Sequence, residues 1–340
     1  MPNLQTVTVV LPIRNEADFI ARSLGAVLNQ DYPAHLLQIL VSDGMSTDNT
    51  RALIAEMAQQ HPDIALAVLD NPKRIVPTAF NIALQHATGD IVMLVSGHCE
   101  IASDYVSQVV KAMQASHADN VGGRMNSVGT TPVSRAIALA TSSPFGVGNA
   151  RYRYATTPGW VDTVYLGAYR RDILSRIGGY DEELVRNQDD ELNFRLTQAG
   201  GKIWFDPAIK STYYNRASLS KLWTQYFQYG LYKVLVMKKR GGVASWRHLA
   251  PVTFIVLLAL SLVLGLAVRS PLLMGILAVP YLAGNLLASL WTARRDWPTV
   301  PYLPPAFAAL HFGYGLGWLA GFWKWRGRSS ISVTPAAHTH

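Results

Sequence analysis

Acidic residues all but vanish after Asp206. Only Asp296 follows it, against fourteen Lys and Arg, so residues 207–340 carry 14 − 1 = +13. The whole chain carries +8, which leaves 8 − 13 = −5 for residues 1–206. Cysteine is nearly missing too. Cys99 stands alone, which excludes an internal disulfide and leaves a small buried thiol as its expected role. Charge is scarce overall, 15% of 340 residues against 49% hydrophobic, too little for an ordinary soluble enzyme. No signal peptide is visible, because residues 1–16 already read as strand and loop. No G-x-G-x-x-G follows the first strand, and there is no P-loop, so a dinucleotide fold of the usual sort is unsupported. A mildly acidic front joined to a basic, apolar back suggests a domain anchored on an anionic membrane surface. Nucleic-acid binding is the other reading of a basic chain. The cations here flank long apolar runs, which favours the bilayer as partner and no nucleic acid.

What is present starts with residues 91–100, IVMLVSGHCE, entered through the turn signal Gly89-Asp90. Five apolar residues without a polar break predict a strand covered on both faces. Ser96, His98 and Glu100 then sit where ligands bind in open α/β sheets, beyond the carboxyl end of a strand. In an extended chain His98 and Glu100 project to one side. An imidazole and a carboxylate there could hold a divalent metal, or His98 could be a hydrogen-bonded residue at a strand end. Apolar runs at 7–13, 36–41 and 64–69 predict three more strands, and helical spacing predicts helices at 19–28, 49–60 and 77–85. This alternation implies a parallel sheet with helices on both sides.

Asp43 ends the second strand, as a ligand acceptor or as a cap for the next helix. Lys73 and Arg74 follow the third, as a diphosphate site or a solvated loop. Val121-Gly122-Gly123-Arg124 predicts a strand with close backbone approach. Residues 129–160, rich in Thr, Ser, Pro and Gly, read as an irregular lid or acceptor loop. Asn187 opens a helix with Asp189, Asp190 and Glu191 in its first turn, where acids suit the dipole. A carboxylate at such a helix start beside a cleft can also be a general base. A last strand is expected at 202–205.

The back half predicts an amphipathic helix over 219–235, closed by Lys238-Lys239-Arg240 and lying in a membrane interface. Residues 249–268 and 272–291 are each long enough to span a bilayer. Arg247, Arg294 and Arg295 join the Lys238–Arg240 flank in placing both outer ends in the cytoplasm. A third apolar segment, 303–323, holds Pro304, Pro305, His311 and four glycines. If it spans, Lys324, Arg326 and Arg328 lie outside, so a re-entrant or packed segment is the alternative.

Taken together, the ordered motifs at 11–16, 42–50, 71–83, 89–100, 161–171 and 178–195 resemble the inverting glycosyltransferases of family 2. Within that family, Asn71-Pro72-Lys73-Arg74, residues 188–195 (QDDELNFR) and residues 225–230 (QYFQYG) are similar to membrane-bound enzymes of bacterial exopolysaccharide assembly. The resemblance implies an α/β GT-A domain over 1–216, with a parallel-rich central sheet and helices on both faces. An interfacial helix and basic linker (217–247), a transmembrane region (248–328) and a tail (329–340) follow. It implies donor contacts from Pro12, Arg14, Glu16, Asp43, Lys73, Arg74, Asn81 and Ser96, and a metal, Mn²⁺ or Mg²⁺, at His98 with Glu100. Asp189 takes the place of the catalytic base, and Asp190, Arg195, Arg216, Gln225 and Gln228 that of an acceptor or diphosphate set. Ser96 and Gln188 depart from the usual Asp and Glu, and both departures remove negative charge from the site. The absence of Gln-x-x-Arg-Trp after 225 argues against a polymer-extruding synthase. The implied activity is transfer of a sugar from a nucleotide-sugar donor, a UDP-sugar in the first instance, to a polyprenyl-diphosphate-linked acceptor. The implied location is the plasma membrane, multi-pass, with the catalytic domain cytoplasmic. A polyprenyl-phosphate sugar transferase and a catalytically lapsed membrane subunit are the competing readings.

Overall fold

A computed structural model describes residues 4–215, 218–242, 246–294 and 296–327. Arg216, Arg295, Arg328 and the tail, to which the sequence assigned roles, lie outside the described residues. In chain order the elements are β1 (Val7–Ile13), α1 (Ile20–Leu28), β2 (Leu37–Asp43), α2 (Thr50–Gln60), β3 (Ala65–Asp70), α3 (Val76–His86), β4 (Ile91–Leu94), β5 (Cys99–Ile101), α4 (Tyr105–Ser116) and β6 (Asn120–Val128). Then come α5 (Pro132–Thr141), α6 (Pro144–Val147), β7 (Gly159–Val161), β8 (Tyr165–Arg170), α7 (Arg171–Ile177), α8 (Gln188–Gln198) and β9 (Ile203–Tyr214). The chain ends in α9 (Leu219–Arg240), α10 (Ala250–Ala267), α11 (Pro271–Ala293) and α12 (Leu303–Lys324). These form two compact units: residues 1–126 with 151–214, and residues 127–150 with 215–340.

The first unit is built on a nine-stranded sheet ordered β3-β2-β1-β4-β8-β6-β9-β5, with β7 beside β9. The strands read from apolar runs, β1 to β4, pair parallel. The rest is mixed: β8 runs antiparallel to β4 and β6, and β9 antiparallel to β5 and β7. The parallel block β3-β2-β1-β4 is the one the apolar runs implied, and the later strands extend it as a mixed sheet. Side chains alternate between two cores. Val7, Val9, Leu11, Ile39, Met93 and their neighbours fill the face covered by α1 and α4. Val10, Leu40 and Val92 join Phe80 of α3, Ile173 of α7 and Leu192 of α8 on the other. Each fully buried Val, Ile or Leu adds about 1.5–3 kcal/mol of transfer free energy, which makes β1 the costliest strand to displace. The close approach expected at Gly122-Gly123 is present: a Cβ on Gly123 would stand 1.9 Å from the Ile209 carbonyl oxygen of β9. Cys99 is a buried thiol whose pKa burial pushes up to about 12.

The second unit departs from expectation at both ends. Residues 132–147 are not an irregular lid. Thr131 and Ser134 form a reciprocal capping box that starts α5, and Ala136, Ile137 and Ala140 are buried with Leu222, Tyr226 and Phe307. The apolar face of α9 is likewise spent on protein packing. The glycines of α12 face α9 at intervals of four. Added Cβ atoms on Gly313, Gly317 and Gly321 would meet the Trp223, Phe227 and Leu231 carbonyl oxygens at 3.2, 2.0 and 2.5 Å. The ascending order of both sets makes the helices parallel, and the missing side chains let the backbones touch. The third apolar segment is thus one continuous helix packed on α9. Among the described residues α10 and α11 are long and apolar enough to cross a membrane, and large apolar side chains such as Leu260, Val263, Leu272 and Leu282 stand exposed on them.

The glycine contact yields a direct test. Gly317→Leu should cost more than about 2 kcal/mol, since the added atoms meet backbone that cannot turn aside. Gly284→Ala, where a Cβ meets nothing within 4 Å, should leave stability unchanged or slightly raised. Thermal unfolding of the detergent-purified chain, followed by tryptophan fluorescence, reads both.

Candidate active site

The chain builds β1, moves outward to β2 and β3, and comes back to place β4 on the other side of β1. The carboxyl ends of β1 and β4 therefore flank a topological switch point, where open α/β sheets leave a crevice. β4 pairs with β1 only up to Leu94 opposite Val10, whereas β1 continues against β2 to Ile13 opposite Asp43. The loops after β1 and β4 meet in the space this leaves.

The loop after β1 is laced to the loop after β2. The Asn15 amide donates to the Ser46 hydroxyl (2.8 Å), and the Thr47 amide to the Asn15 side-chain oxygen (2.9 Å). The Glu16 amide donates to Thr50 Oγ1 (2.8 Å), and the Ala17 amide to Asp48 Oδ2 (3.2 Å). Asn15 itself takes a left-handed φ of 52°, which asparagine tolerates better than most residues. Pro12 is half-buried at the end of β1, and Arg14 is exposed, its Cβ 3.1 Å from where a side chain on Gly44 would begin.

Asp43 is fully buried and satisfied within the protein. It accepts from the Ser46 amide (3.1 Å) and hydroxyl (2.5 Å) and from Arg51 Nε (2.5 Å). Arg51 also pairs with Asp70. The hydrogen bonds to Asp70 and then Asp43 raise its pKa. Sequence reading missed Arg51. The signal was there: Asp43 and Asp70 end adjacent strands in register, and two carboxylates so placed require a cation between them.

His98 and Glu100 are not brought together. Gly97 and His98 form a turn before β5 begins at Cys99, which breaks the alternation that would have aligned them. Glu100 Oε1 pairs with Arg22 Nε (2.9 Å) and accepts from the Tyr214 hydroxyl (2.9 Å). Arg22 donates to that same hydroxyl (2.9 Å) and stacks over the Tyr214 ring. His98 Nδ1 instead lies 3.1 Å from Glu16 Oε2, and Ser96 Oγ is at the same turn, 3.4 Å from the His98 amide. Among the described residues no three His, Cys, Asp or Glu side chains gather to hold a metal unaided. The carboxylate oxygen and imidazole nitrogen are a donor pair that fits a divalent cation whose shell a substrate diphosphate completes.

On the α3 side, exposed Lys73 pairs with Glu182 Oε2 (2.7 Å), and this hydrogen bond, more than that from Asn81, holds the Glu182 carboxyl below its usual range. Asn81 also donates to the Tyr180 carbonyl (2.8 Å) and accepts from the Tyr180 amide (2.8 Å). It clamps the loop before α8 to α3. Arg74 is exposed with a positive φ of 60°.

Asp189 and Asp190 occupy the first turn of α8, half-exposed. Beneath them runs a buried polar network. Tyr169 donates to Asn193 Oδ1 (3.0 Å), which also accepts from Asn120 (2.9 Å), while Asn193 donates to Thr163 (3.0 Å). Burial pushes the Tyr180 phenol up, and the charge of Asp189 pushes it further. Arg195 is not available to a diphosphate. Its five N–H groups go to Glu191, twice, and to the Ile177, Gly178 and Gly179 carbonyls. It is a clamp inside the domain, and sequence alone did not distinguish that from a ligand contact. Gln225 and Gln228 belong to the second unit, where Gln225 donates to the Tyr229 hydroxyl (2.8 Å).

Comparison with known proteins decides the family. A family model described as glycosyl transferase family 2 matches residues 8–178. The chain is also 31% identical to the succinoglycan biosynthesis protein ExoA of Rhizobium meliloti, over 93% of each chain. The chain belongs to glycosyltransferase family 2. A further relative, 28% identical over 77% of this chain and 83% of its own, comes from Methanococcus voltae. It is named dolichyl N-acetyl-alpha-D-glucosaminyl phosphate 3-beta-D-2,3-diacetamido-2,3-dideoxy-beta-D-glucuronosyltransferase. Among solved structures, the mannosyltransferase PcManGT of Pyrobaculum calidifontis, in complex with GDP-Man and Mn²⁺, superposes with a TM-score of 0.60 at 21% identity. That match covers 95% of this chain and 88% of the other. The protein is a glycosyltransferase with the GT-A fold.

Two outcomes follow from the geometry. Arg195→Met leaves Glu191, which is 0% exposed, without its cation and should destabilise the first unit by about 3–5 kcal/mol in urea unfolding. The Thr50 hydroxyl, foremost, holds the Asp48 carboxyl below its usual range. A depressed folded pKa contributes stability that is complete above the ordinary carboxylate value and lost as pH falls through the folded value. The unfolding temperature should therefore stay level from about pH 7 to 5 and drop below about pH 4. Asp48→Asn should lower it at pH 7 and flatten that acid limb.

Proposed function

We propose that this glycosyltransferase inverts the anomeric centre as it moves a sugar from a nucleotide-sugar donor, UDP-sugars first, to a lipid-linked saccharide at the cytoplasmic membrane face. The product belongs to an exopolysaccharide or a related surface glycan. The observation that carries this reading is the end-to-end likeness to a protein named for succinoglycan biosynthesis. The name of the archaeal relative, a transferase acting on a dolichyl-phosphate-linked sugar, favours a saccharide already mounted on a polyprenyl carrier over a bare polyprenyl phosphate. The membrane reading draws support from α10 and α11, whose exposed apolar surfaces suit lipid better than water. It draws further support from cations stacked on aromatic rings at helix ends: Arg294 on Trp291, Arg326 on Trp323 and Lys324 on Trp325.

The chemistry is one displacement. The acceptor hydroxyl oxygen bonds to the anomeric carbon as the bond from that carbon to the diphosphate oxygen breaks. The hydroxyl proton passes to the Asp189 carboxylate, and the nucleoside diphosphate leaves with the electron pair. Support for Asp189 is its half-exposed place in the first turn of α8, above the Tyr169–Asn193 network that stiffens this turn. A divalent cation, Mn²⁺ or Mg²⁺, bound at His98 would supply positive charge to the leaving diphosphate. Lys73, which is exposed and needs only to leave Glu182, adds to that charge.

Purified full-length protein should hydrolyse a UDP- or GDP-sugar slowly, and faster with Mn²⁺ present. No hydrolysis with either donor class would favour a lapsed membrane subunit. Asp189→Asn should cut transfer by roughly 10²–10⁴-fold while donor binding persists. Turnover equal to the parent's would move the base to Asp190 or Asp181.

A further inference from the structure

We propose that Glu16 is the carboxylate ligand of the divalent cation at His98, so that the cation is shared between the ends of β1 and β4. The proposal rests on the glycosyltransfer reading above and assigns the cation a second protein ligand. Three observations carry it. Glu16 Oε2 and His98 Nδ1 are 3.1 Å apart. Donors on adjacent corners of an octahedron with bonds of about 2.1 Å stand about 3 Å apart, so the pair is spaced for one small cation. Next, the other acidic candidate is committed elsewhere: Glu100 is neutralised by Arg22 and takes the Tyr214 hydroxyl. Ser96 offers only a hydroxyl at this turn. Among the described residues the sole ion-pair partner of Glu16 is His98.

Finally, Glu16 is held as a ligand needs to be. Its amide is fixed by the Thr50 hydroxyl, and its carbonyl accepts from the Phe19 and Ile20 amides (2.8 and 2.7 Å) at the start of α1. Its side chain is 11% exposed and that of His98 56%, so the imidazole faces the crevice and the carboxylate backs it. Gly97 keeps the two loops close, since a side chain there would press on Ile13 (3.3 Å) and the Pro12 carbonyl (3.4 Å). Backbone fixed by neighbours is what keeps a ligand in place before the metal arrives.

The experiment follows the free Mn²⁺ signal by electron paramagnetic resonance as full-length protein is titrated, with UDP and separately with GDP. The parent should take up one Mn²⁺ per chain with at least one of the nucleotides. Glu16→Gln should weaken that uptake at least tenfold, and Glu16→Asp by less. Ser96→Asp added to Glu16→Gln should restore it, because the His98 turn then supplies a carboxylate in place of the one lost from the loop after β1. Unfolding temperatures matching the parent's show that a ligand and not the fold was lost. Unchanged Mn²⁺ uptake in Glu16→Gln overturns the proposal, and so does a parent that takes up none with either nucleotide. Donor hydrolysis by the parent, measured separately, reports on glycosyl transfer itself, so the two readings fail independently.

Discussion

The hydrogen-bond ladder that gives β1 two parallel partners is the constraint on which the candidate site rests. Val7 to Ile13 pair with β2 on one side, and Val7 to Val10 with β4 on the other. Three loops are thereby delivered to one end of the sheet at fixed heights. The cross-links Asn15–Ser46, Glu16–Thr50 and Ala17–Asp48 bind the first two of them into one body. The third, Ser96 to His98, then has a firm wall to close against. Moving β1 by one residue would swap its two faces and take Glu16 away from His98 at the same time, so core packing and site geometry cannot vary separately.

Three arginines compensate carboxylates inside the first unit. Arg51 serves Asp43 and Asp70, Arg195 serves Glu191, and Arg22 serves Glu100. These pairs engage carboxylates that would otherwise compete for a cation at the His98 turn. The buried Arg195–Glu191 pair contributes little net stability but is costly to split.

The four parallel strands and the helices between them were legible because each is a run of apolar residues closed by turn residues, and that pattern survives folding unchanged. The helix at Gln188 was legible from its acids, although Asn187 takes a left-handed φ of 60° and gives no side-chain cap bond. β5 and the twelve residues of β9 were not fully legible: β5 is three residues long, and β9 runs on through Pro207, a residue that reads as a strand end. The His98–Glu100 pairing assumed extended chain where the turn at Gly97 intervenes. Residues 132–147 looked like loop because their packing is done by Ala136, Ala140 and Gly146 together with Ile137, small side chains that leave a faint periodic signal. Partners such as Arg51 for Asp70 or Arg22 for Glu100 depend on contacts between distant segments, which no local pattern encodes.

Because α5 and α6 fold with helices that begin after residue 215, the order of synthesis matters. When the ribosome has made residue 150, the surface that will cover Ile137 does not yet exist. Phe307 and Leu310 of α12, its companions in the finished core, are about 160 residues away, roughly 10–30 s at ordinary elongation rates. Over that time α9 arrives first, with Leu222 and Tyr226, and α12 completes the core last. The second unit can therefore close only once α12 has been made, although α5 leaves the ribosome among the first of its helices.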